Sequence, residues 1–266
     1  MGLSSHEGFP SEEPVTGDKQ NWSVLPSRPM NAAGGAVSVS RAERASETRY
    51  RLVKRVLDIG LAIGLMLIFL PLFALVWLAI RIDSPGSVLY VQERVGARRT
   101  RRQGQSTWER RMFRVYKFRS MFDDSGDDLH REYIGAFLNG LPASAEDDEA
   151  FKLTNDPRIT RVGRFCRRTS IDELPQLINV IKGDMSLVGP RPVPTYEVEG
   201  YVPWQLERFE ALPGMTGSWQ VYGRGRVTFE KMMQMDIEYV RQRSILLDLK
   251  LLILTVPAVV RGAGAR

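Results

Sequence analysis

Twenty-two consecutive positions, Ile59 to Ile80, carry no charged side chain. A helix that crosses a bilayer needs about 20 apolar residues, and a soluble helix of that length keeps a polar face. The run therefore reads as a membrane segment. Two features decide how it sits. Pro71 lies near its middle and disturbs an α-helix there. Basic residues flank both ends: Arg51, Lys54 and Arg55 before it, then Arg81, Arg94, Arg98, Arg99, Arg101 and Arg102 after it. Positive residues mark the cytoplasmic side, so a straight span would put one cluster on the wrong side. A helix bent at Pro71 that enters and leaves by the same face satisfies both clusters. The bend frees backbone groups, which then need partners in the protein or near the interface.

The residues before this segment are rich in Ser, Pro, Gly, Glu and Ala and show no apolar periodicity, so residues 1–50 are expected to be a disordered cytoplasmic tail. No short apolar core followed by small residues occurs near Met1, which argues against a secretory signal peptide. Residues 51–87 form the expected re-entrant unit and residues 88–266 a domain on the cytoplasmic face. Within it, Val88–Val91 and Met112–Tyr116 read as short strands with Arg94–Arg110 as a loop between them. The acidic stretch from Asp123 to Glu149 reads as a solvated loop with a helix around Leu129–Leu138. The last apolar run, Leu251–Val260, is broken by Pro257 and too short to span. With Ile245–Leu249 it reads as an amphipathic helix, lying on the membrane or packed on the domain. The fold class is mainly α with a few short β-strands (α+β), in one membrane-associated domain.

Charge and cysteine usage narrow the function. There are 37 Lys and Arg against 31 Asp and Glu, a net charge of +6. This balance suits an anionic partner: nucleic acid, a membrane surface or a phosphorylated substrate. No nucleic-acid-binding motif is present, and aromatics do not interleave with the arginines as stacking would require. A single cysteine, Cys166, rules out an intrachain disulfide and fits a reducing compartment. With only His6 and His130 besides, histidine-rich and four-cysteine zinc sites are excluded.

Chemistry concentrates between Thr154 and Pro192. A turn signature, Thr154 to Arg158, is followed by arginines at 158, 161, 164, 167 and 168, then by the adjacent acids Asp172 and Glu173. Two readings compete for the acids. In one, Ser170 caps a helix and Glu173 closes a capping box. In the other, Pro175 stands near the first helical position and the acids face a phosphate held by arginine. A helix over Gln176–Ile181 should stop at Gly183. Arginine offers a phosphate a bidentate fork, a carboxylate can bind Mg²⁺ together with substrate phosphates, and it can also attack phosphorus. Arg191, between Pro190 and Pro192, sits on stiff backbone, and Gly189–Pro192 reads equally as a structural turn.

These residues fall into a recognisable series. Lys54-Arg-Val-Leu-Asp58, Val115-Tyr-Lys-Phe-Arg-Ser-Met121, Asn155-Asp-Pro-Arg-Ile-Thr160, Ser170-Ile-Asp-Glu-Leu-Pro-Gln176, Lys182-Gly-Asp-Met-Ser-Leu-Val-Gly-Pro-Arg-Pro192 and Leu212-Pro-Gly-Met-Thr-Gly-Ser-Trp-Gln220 follow in order. The chain from about Arg51 to Ala263 resembles the bacterial sugar transferase family, the monotopic polyprenyl-phosphate glycosyl-1-phosphate transferases, and in particular the small initiating enzymes of exopolysaccharide synthesis. The resemblance implies a UDP-sugar donor, undecaprenyl phosphate as acceptor, release of UMP, and Mg²⁺. It implies that Asp172 is the nucleophile and that Glu173 supports the site at the metal. Arg167 and Arg191 would meet the phosphates and the nucleotide sugar, and Lys117 and Arg119 would line the site or serve structural ion pairs. Lys54, Arg55, Asp58 and Pro71 belong to the re-entrant membrane unit, at the bacterial inner membrane. Leu70 stands before Pro71 where members often carry Ser, so the bend must be stabilised from elsewhere. A homo-oligomer stays open, as does the sugar, with galactose and glucose suggested by analogy. The rival class is a non-catalytic membrane-anchored protein that binds anionic lipid or nucleic acid.

Overall fold

The computed structural model describes residues 41–102, 105–122, 156–223 and 227–260. The expected Leu129–Leu138 helix, the acidic stretch and residues 1–40 of the expected tail lie outside the described residues. Helices and two small two-stranded sheets make an α+β fold.

Helix α1 spans Arg41–Ile68, so it already occupies positions expected to be disordered tail. Helix α2 spans Leu70–Asp83 with Pro71 in its first turn, where a missing N–H costs least. Among the described residues no single helix is long and apolar enough to cross a membrane, but α1 and α2 are so together, bent by 61°. The break is bridged by Phe69 N–H on the Leu65 carbonyl (2.9 Å) and Phe73 N–H on the Phe69 carbonyl (2.8 Å). The domain supplies the remaining support. Val76 and Ile80 are buried with Val88, Phe118 and Cys166, Phe73 packs on Phe118 with ring centroids 5.4 Å apart, and Asp83 accepts from Val162 N–H at 3.0 Å. The opposite stripe, Leu70, Leu75, Trp77, Leu78 and Ile82, is exposed.

The basic segment forms a ladder where a loop was expected. Strands β1 (Leu89–Arg102) and β2 (Gln105–Phe118) pair antiparallel throughout, Leu89 with Phe118 and Thr100 with Thr107. Arginine side chains do not interrupt a ladder built from backbone groups, and the hairpin is covered on both faces near its base, by Val95 and Ala97 on one and Phe113 and Val115 on the other. The inward residues Val95 and Ala97 join a core with Val193, Val198, Tyr201, Phe209, Trp219, Met232 and Met233.

Helix α3 (Arg161–Thr169) is capped by the Thr160 hydroxyl, which accepts from Gly163 N–H at 2.9 Å. Arg161, Arg164 and Arg168 face outward while Gly163 and Cys166 are buried. Ser170 ends α3 in the left-handed region at φ 57°, and its side chain caps nothing, so the capping-box reading fails. A 3-10 turn, Ile171–Gln176, takes the acids and Pro175, and α4 follows at Leu177–Lys182. Gly183 closes α4 at φ 88°, a conformation that favours glycine.

Strand β3 (Ser186–Val188) pairs parallel with β4 (Gly214–Thr216). Between them lie the short helix α5 (Thr195–Val198) and a 3-10 segment, Pro203–Glu210. Helices α6 (Ser218–Tyr222), α7 (Phe229–Gln242) and α8 (Ile245–Val260) complete the fold. Pro257 does not break α8, because near its C-terminus it forgoes only one N–H bond. Leu251 of α8 is fully buried, while Leu246, Ile253 and Val256 face outward. The helix thus packs on the domain along one side.

Two buried carboxylates fasten α1 to this body. Asp58 accepts from the Ser186 hydroxyl (2.8 Å) and Leu187 N–H (3.1 Å). Asp248 of α8 accepts from Tyr50 (3.0 Å), Lys54 (2.9 Å) and Tyr239 (2.7 Å). Arg55 donates to the Val180 and Ile181 carbonyls at the end of α4. All three sequence-selected residues, Lys54, Arg55 and Asp58, therefore bind α1 to the domain.

Asp58→Ala leaves the buried Leu187 N–H without this acceptor. The expected loss is about 1–3 kcal/mol, read as a lower denaturation midpoint in detergent. Glu210 supplies a second test. Burial, with Glu207 beside it, pushes the Glu210 carboxyl from 4.5 up to about 7. The folded chain then holds this proton more tightly than the unfolded chain. The stability so gained is complete below about pH 4.5 and lost as pH rises through about 7. The thermal midpoint of Glu210→Gln should rise relative to wild type across that window, and a pH-independent difference would contradict the assignment.

Candidate active site

The acid-bearing turn is tied to the hairpin from both sides of Asn179, which is fully buried on α4. Its amide donates to the Arg114 carbonyl (2.6 Å) and its oxygen accepts from Tyr116 N–H (3.1 Å). That pairing fixes Lys117 of β2 opposite the turn, and the Lys117 ammonium reaches Glu173 Oε1 at 3.0 Å. Arg191 approaches the same oxygen at 3.6 Å from the loop after β3.

The third wall comes from backbone meeting backbone. Gly189 N–H donates to the Thr216 carbonyl (2.9 Å) and Gly214 N–H to the Pro190 carbonyl (2.8 Å). A Cβ on Gly214 would stand 2.1 Å from Gly189 N, and one on Gly189 would stand 2.3 Å from the Leu212 carbonyl oxygen. Neither position has room for any other residue. The contact brings Arg191, Pro192, Gly214, Met215 and Gln220 to one small, open cleft with Arg94, Val115, Lys117, Glu173 and Gln176.

The cleft is positive. Arg94, Lys117 and Arg191 line it against one carboxylate, Glu173. Burial and then the neighbouring Arg191 charge lower the Arg94 guanidinium from its ordinary pKa. Two guanidiniums that disfavour each other on one wall are relieved by an anion between them. Arg94 was hidden from sequence reasoning inside a run of arginines read as loop. Arg94, one residue from Val95, lies on the other face of the strand, opposite Phe113 and on the same side as Val115, which lines the cleft.

The other sequence-selected residues are arranged differently. Successive residues of a 3-10 turn project about 120° apart, so Glu173 lines the cleft while Asp172 is buried toward α3. Burial, and then the charge of Asp172, push the Cys166 thiol up to about 11. Arg119 is turned away from the cleft and buried, donating to the Ser84 and Pro85 carbonyls and the Ser84 hydroxyl that follow α2. Arg167 stands on the Asp156 side of α3. There, after the bidentate bond from Arg158 (2.9 and 2.7 Å), its charge helps hold the Asp156 carboxyl below the usual range. Pro71 is at the helix break, remote from these groups.

Among the described residues no three His, Cys, Asp or Glu groups cluster as a metal cage. Of the two acids only Glu173 stands at the cleft, and a single carboxylate suits an ion that completes its shell with water and phosphate oxygens, as Mg²⁺ commonly does.

Known proteins are similar to this chain in sequence. The chain is 43% identical over 216 residues to an undecaprenyl-phosphate galactose phosphotransferase of Salmonella typhimurium, covering 81% of this chain and 42% of the relative. It is 38% identical over 214 residues to the exopolysaccharide production protein ExoY of Rhizobium meliloti, covering 80% of this chain and 88% of that one. A UDP-glucose:undecaprenyl-phosphate glucose-1-phosphate transferase of Escherichia coli is 37% identical over 214 residues, covering 77% of this chain and 40% of the relative. The chain thus spans about two fifths of the length of some relatives and most of another. Residues 49–262 match the bacterial sugar transferase family, with Glu173, Lys117, Arg94 and Arg191 all inside the matched region, and the chain belongs to that family.

Proposed function

We propose that the chain transfers a sugar-1-phosphate from a UDP-sugar to undecaprenyl phosphate. The observation that carries this reading is the convergence of Arg94, Lys117 and Arg191 beside Glu173 in one cleft, the charge arrangement a diphosphate requires. Family membership and the relatives, which include galactose and glucose phosphotransferases, support it.

In this reading a carboxylate oxygen of Asp172 attacks the phosphorus that bears the sugar. The bond from that phosphorus to the bridging oxygen breaks, and UMP leaves with the electron pair. A phosphate oxygen of undecaprenyl phosphate then attacks the same phosphorus, frees the carboxylate and yields the lipid-linked diphosphate sugar. Asp172 must turn from its place beside Cys166 toward the cleft for the first step. Arg94 and Arg191 hold the phosphate oxygens, and Lys117 orients Glu173. Mg²⁺, held by Asp172 and Glu173, would neutralise charge on the diphosphate. The α1–α2 unit enters the inner membrane from the cytoplasmic face and leaves by it, so the cleft meets a soluble donor and a lipid phosphate at headgroup level. The exposed stripe of α2 and the outward residues of α8 support a bilayer contact.

Purified full-length protein in nanodiscs, given undecaprenyl phosphate, Mg²⁺ and a panel of UDP-sugars, should release UMP with one donor. Asp172→Asn should abolish release, and acid-quenched wild type should carry a phosphosugar on Asp172 by mass spectrometry. Full turnover by Asp172→Asn would refute the covalent route. UDP-sugar binding with no UMP from any donor would favour the rival anion-binding protein. Topology has its own test: single cysteines at the exposed positions 46 and 87, in a Cys166→Ala background, should both resist an impermeant maleimide added outside intact cells. Labelling of one of the two would mean a full crossing.

A further inference from the structure

A buried ionic cluster lies directly behind the loop that carries Arg191. Arg208, in the 3-10 segment Pro203–Glu210, is 1% exposed, and Asp236 on α7 is equally buried. Arg208 Nη2 donates to Asp236 Oδ2 at 2.7 Å and to the Arg191 carbonyl at 3.0 Å. Arg208 Nη1 donates to the Tyr201 hydroxyl at 2.6 Å, and that hydroxyl donates to Glu197. The guanidinium also lies near the rings of Tyr201 and Phe209, at 5.7 and 5.9 Å from their centroids. Burial works against the Arg208 charge, yet Tyr201, Asp236 and Glu197 outweigh it and raise its pKa above the ordinary value.

Stability alone is a weak reason for such a cluster. Removing two charges from water costs several kcal/mol each, and well-packed apolar side chains of similar volume commonly do as well or better. What the cluster provides is a fixed donor at one place. Pro190 and Pro192 have no N–H, so this loop is held through its carbonyls. Gly214 N–H takes the Pro190 carbonyl at 2.8 Å and Val95 N–H takes the Val193 carbonyl at 2.7 Å. Of the two carbonyls between them, that of Arg191 is taken by a side chain, and that side chain belongs to the buried cluster.

We infer that Arg208, backed by Asp236 and the Tyr201–Glu197 pair, is a positioning residue that sets the direction of the Arg191 side chain toward the phosphates of the nucleotide donor. The inference rests on the transferase reading for its ligand and on the structure for its geometry. Lysine cannot replace the fork, because one ammonium does not present the divergent donors that Asp236, Tyr201 and the Arg191 carbonyl require.

The test is a double-mutant cycle on the full chain in nanodiscs, pairing Arg208→Lys with Arg191→Ala. Two readouts are taken: KM for donor and for undecaprenyl phosphate, and the Kd of UDP and of inorganic pyrophosphate by calorimetry. Arg208→Lys should raise donor KM and UDP Kd roughly tenfold, the scale of one charge-assisted hydrogen bond, and leave acceptor KM unchanged. In the Arg191→Ala background the same change should have little further effect. Should Arg208→Lys not fold, Tyr201→Phe keeps the ring and withdraws the hydroxyl, and should give a smaller rise with the same dependence on Arg191. Equal factors in both backgrounds, or a rise shared by donor and acceptor, would overturn the inference while leaving the transferase reading intact. Coupled loss of UDP affinity in a protein that turns over no UDP-sugar would sustain the inference and overturn the reaction. Wild type that binds neither UDP nor pyrophosphate would overturn both.

Discussion

The backbone contact between Gly189 and Gly214 is the constraint on which the cleft depends. Two strands of three residues each, β3 and β4, are too short to hold a sheet on pairing alone. Gly189, just past β3, touches Gly214, the first residue of β4, without side chains between them, at distances where a single Cβ would collide with a backbone atom. That proximity carries Arg191 from the loop after β3, Met215 from β4 and Gln220 from α6 onto a shared rim. The hairpin then closes the rim with Arg94 and Lys117, fixed in register by Asn179. Three segments far apart in sequence thereby place three cations around one carboxylate.

Much of this was readable from the chain and some was not, for reasons that lie in particular residues. The stop at Gly183 and the bend near Pro71 were legible because each follows from one residue's backbone chemistry, a left-handed φ in the first case and a missing N–H in the second. The long hairpin was illegible because arginines masked its ladder: backbone pairing leaves no trace in side-chain polarity when a face is solvated. The roles of Arg119 and Arg167 were equally hidden. Both sit in motifs that resemble a transferase site, yet one guanidinium serves carbonyls behind α2 and the other faces Asp156. Charge alone does not say which way a side chain points. For Ser170 the local rule was overtaken by the end of α3, whose last residue took up the left-handed conformation and left no N-cap to be made.

Buried charge recurs in this fold as a fastening device. Asp58, Asp248 and Arg208 are each nearly inaccessible, and each gathers donors or acceptors from separate elements. Such groups are costly unless fully met, which is why they hold their partners to narrow geometries. In the cleft the opposite condition holds. Burial and then the nearby Arg191 charge work against the Arg94 guanidinium, so the site is poised for a ligand that the core has no use for.

The bond from Arg55 to the end of α4 has a mechanical corollary. Helix α1 lies along the outer apolar layer, and its guanidinium grips the carbonyls of Val180 and Ile181, a single helical turn beyond the segment that carries Asp172 and Glu173. The linkage runs through one side chain and one short helix, so the turn that bears the acids is held at a distance from α1, like a stylus on an arm. In the proposed reaction, between a soluble donor and a lipid-borne phosphate, that arm length would match the turn to the depth of the lipid phosphate.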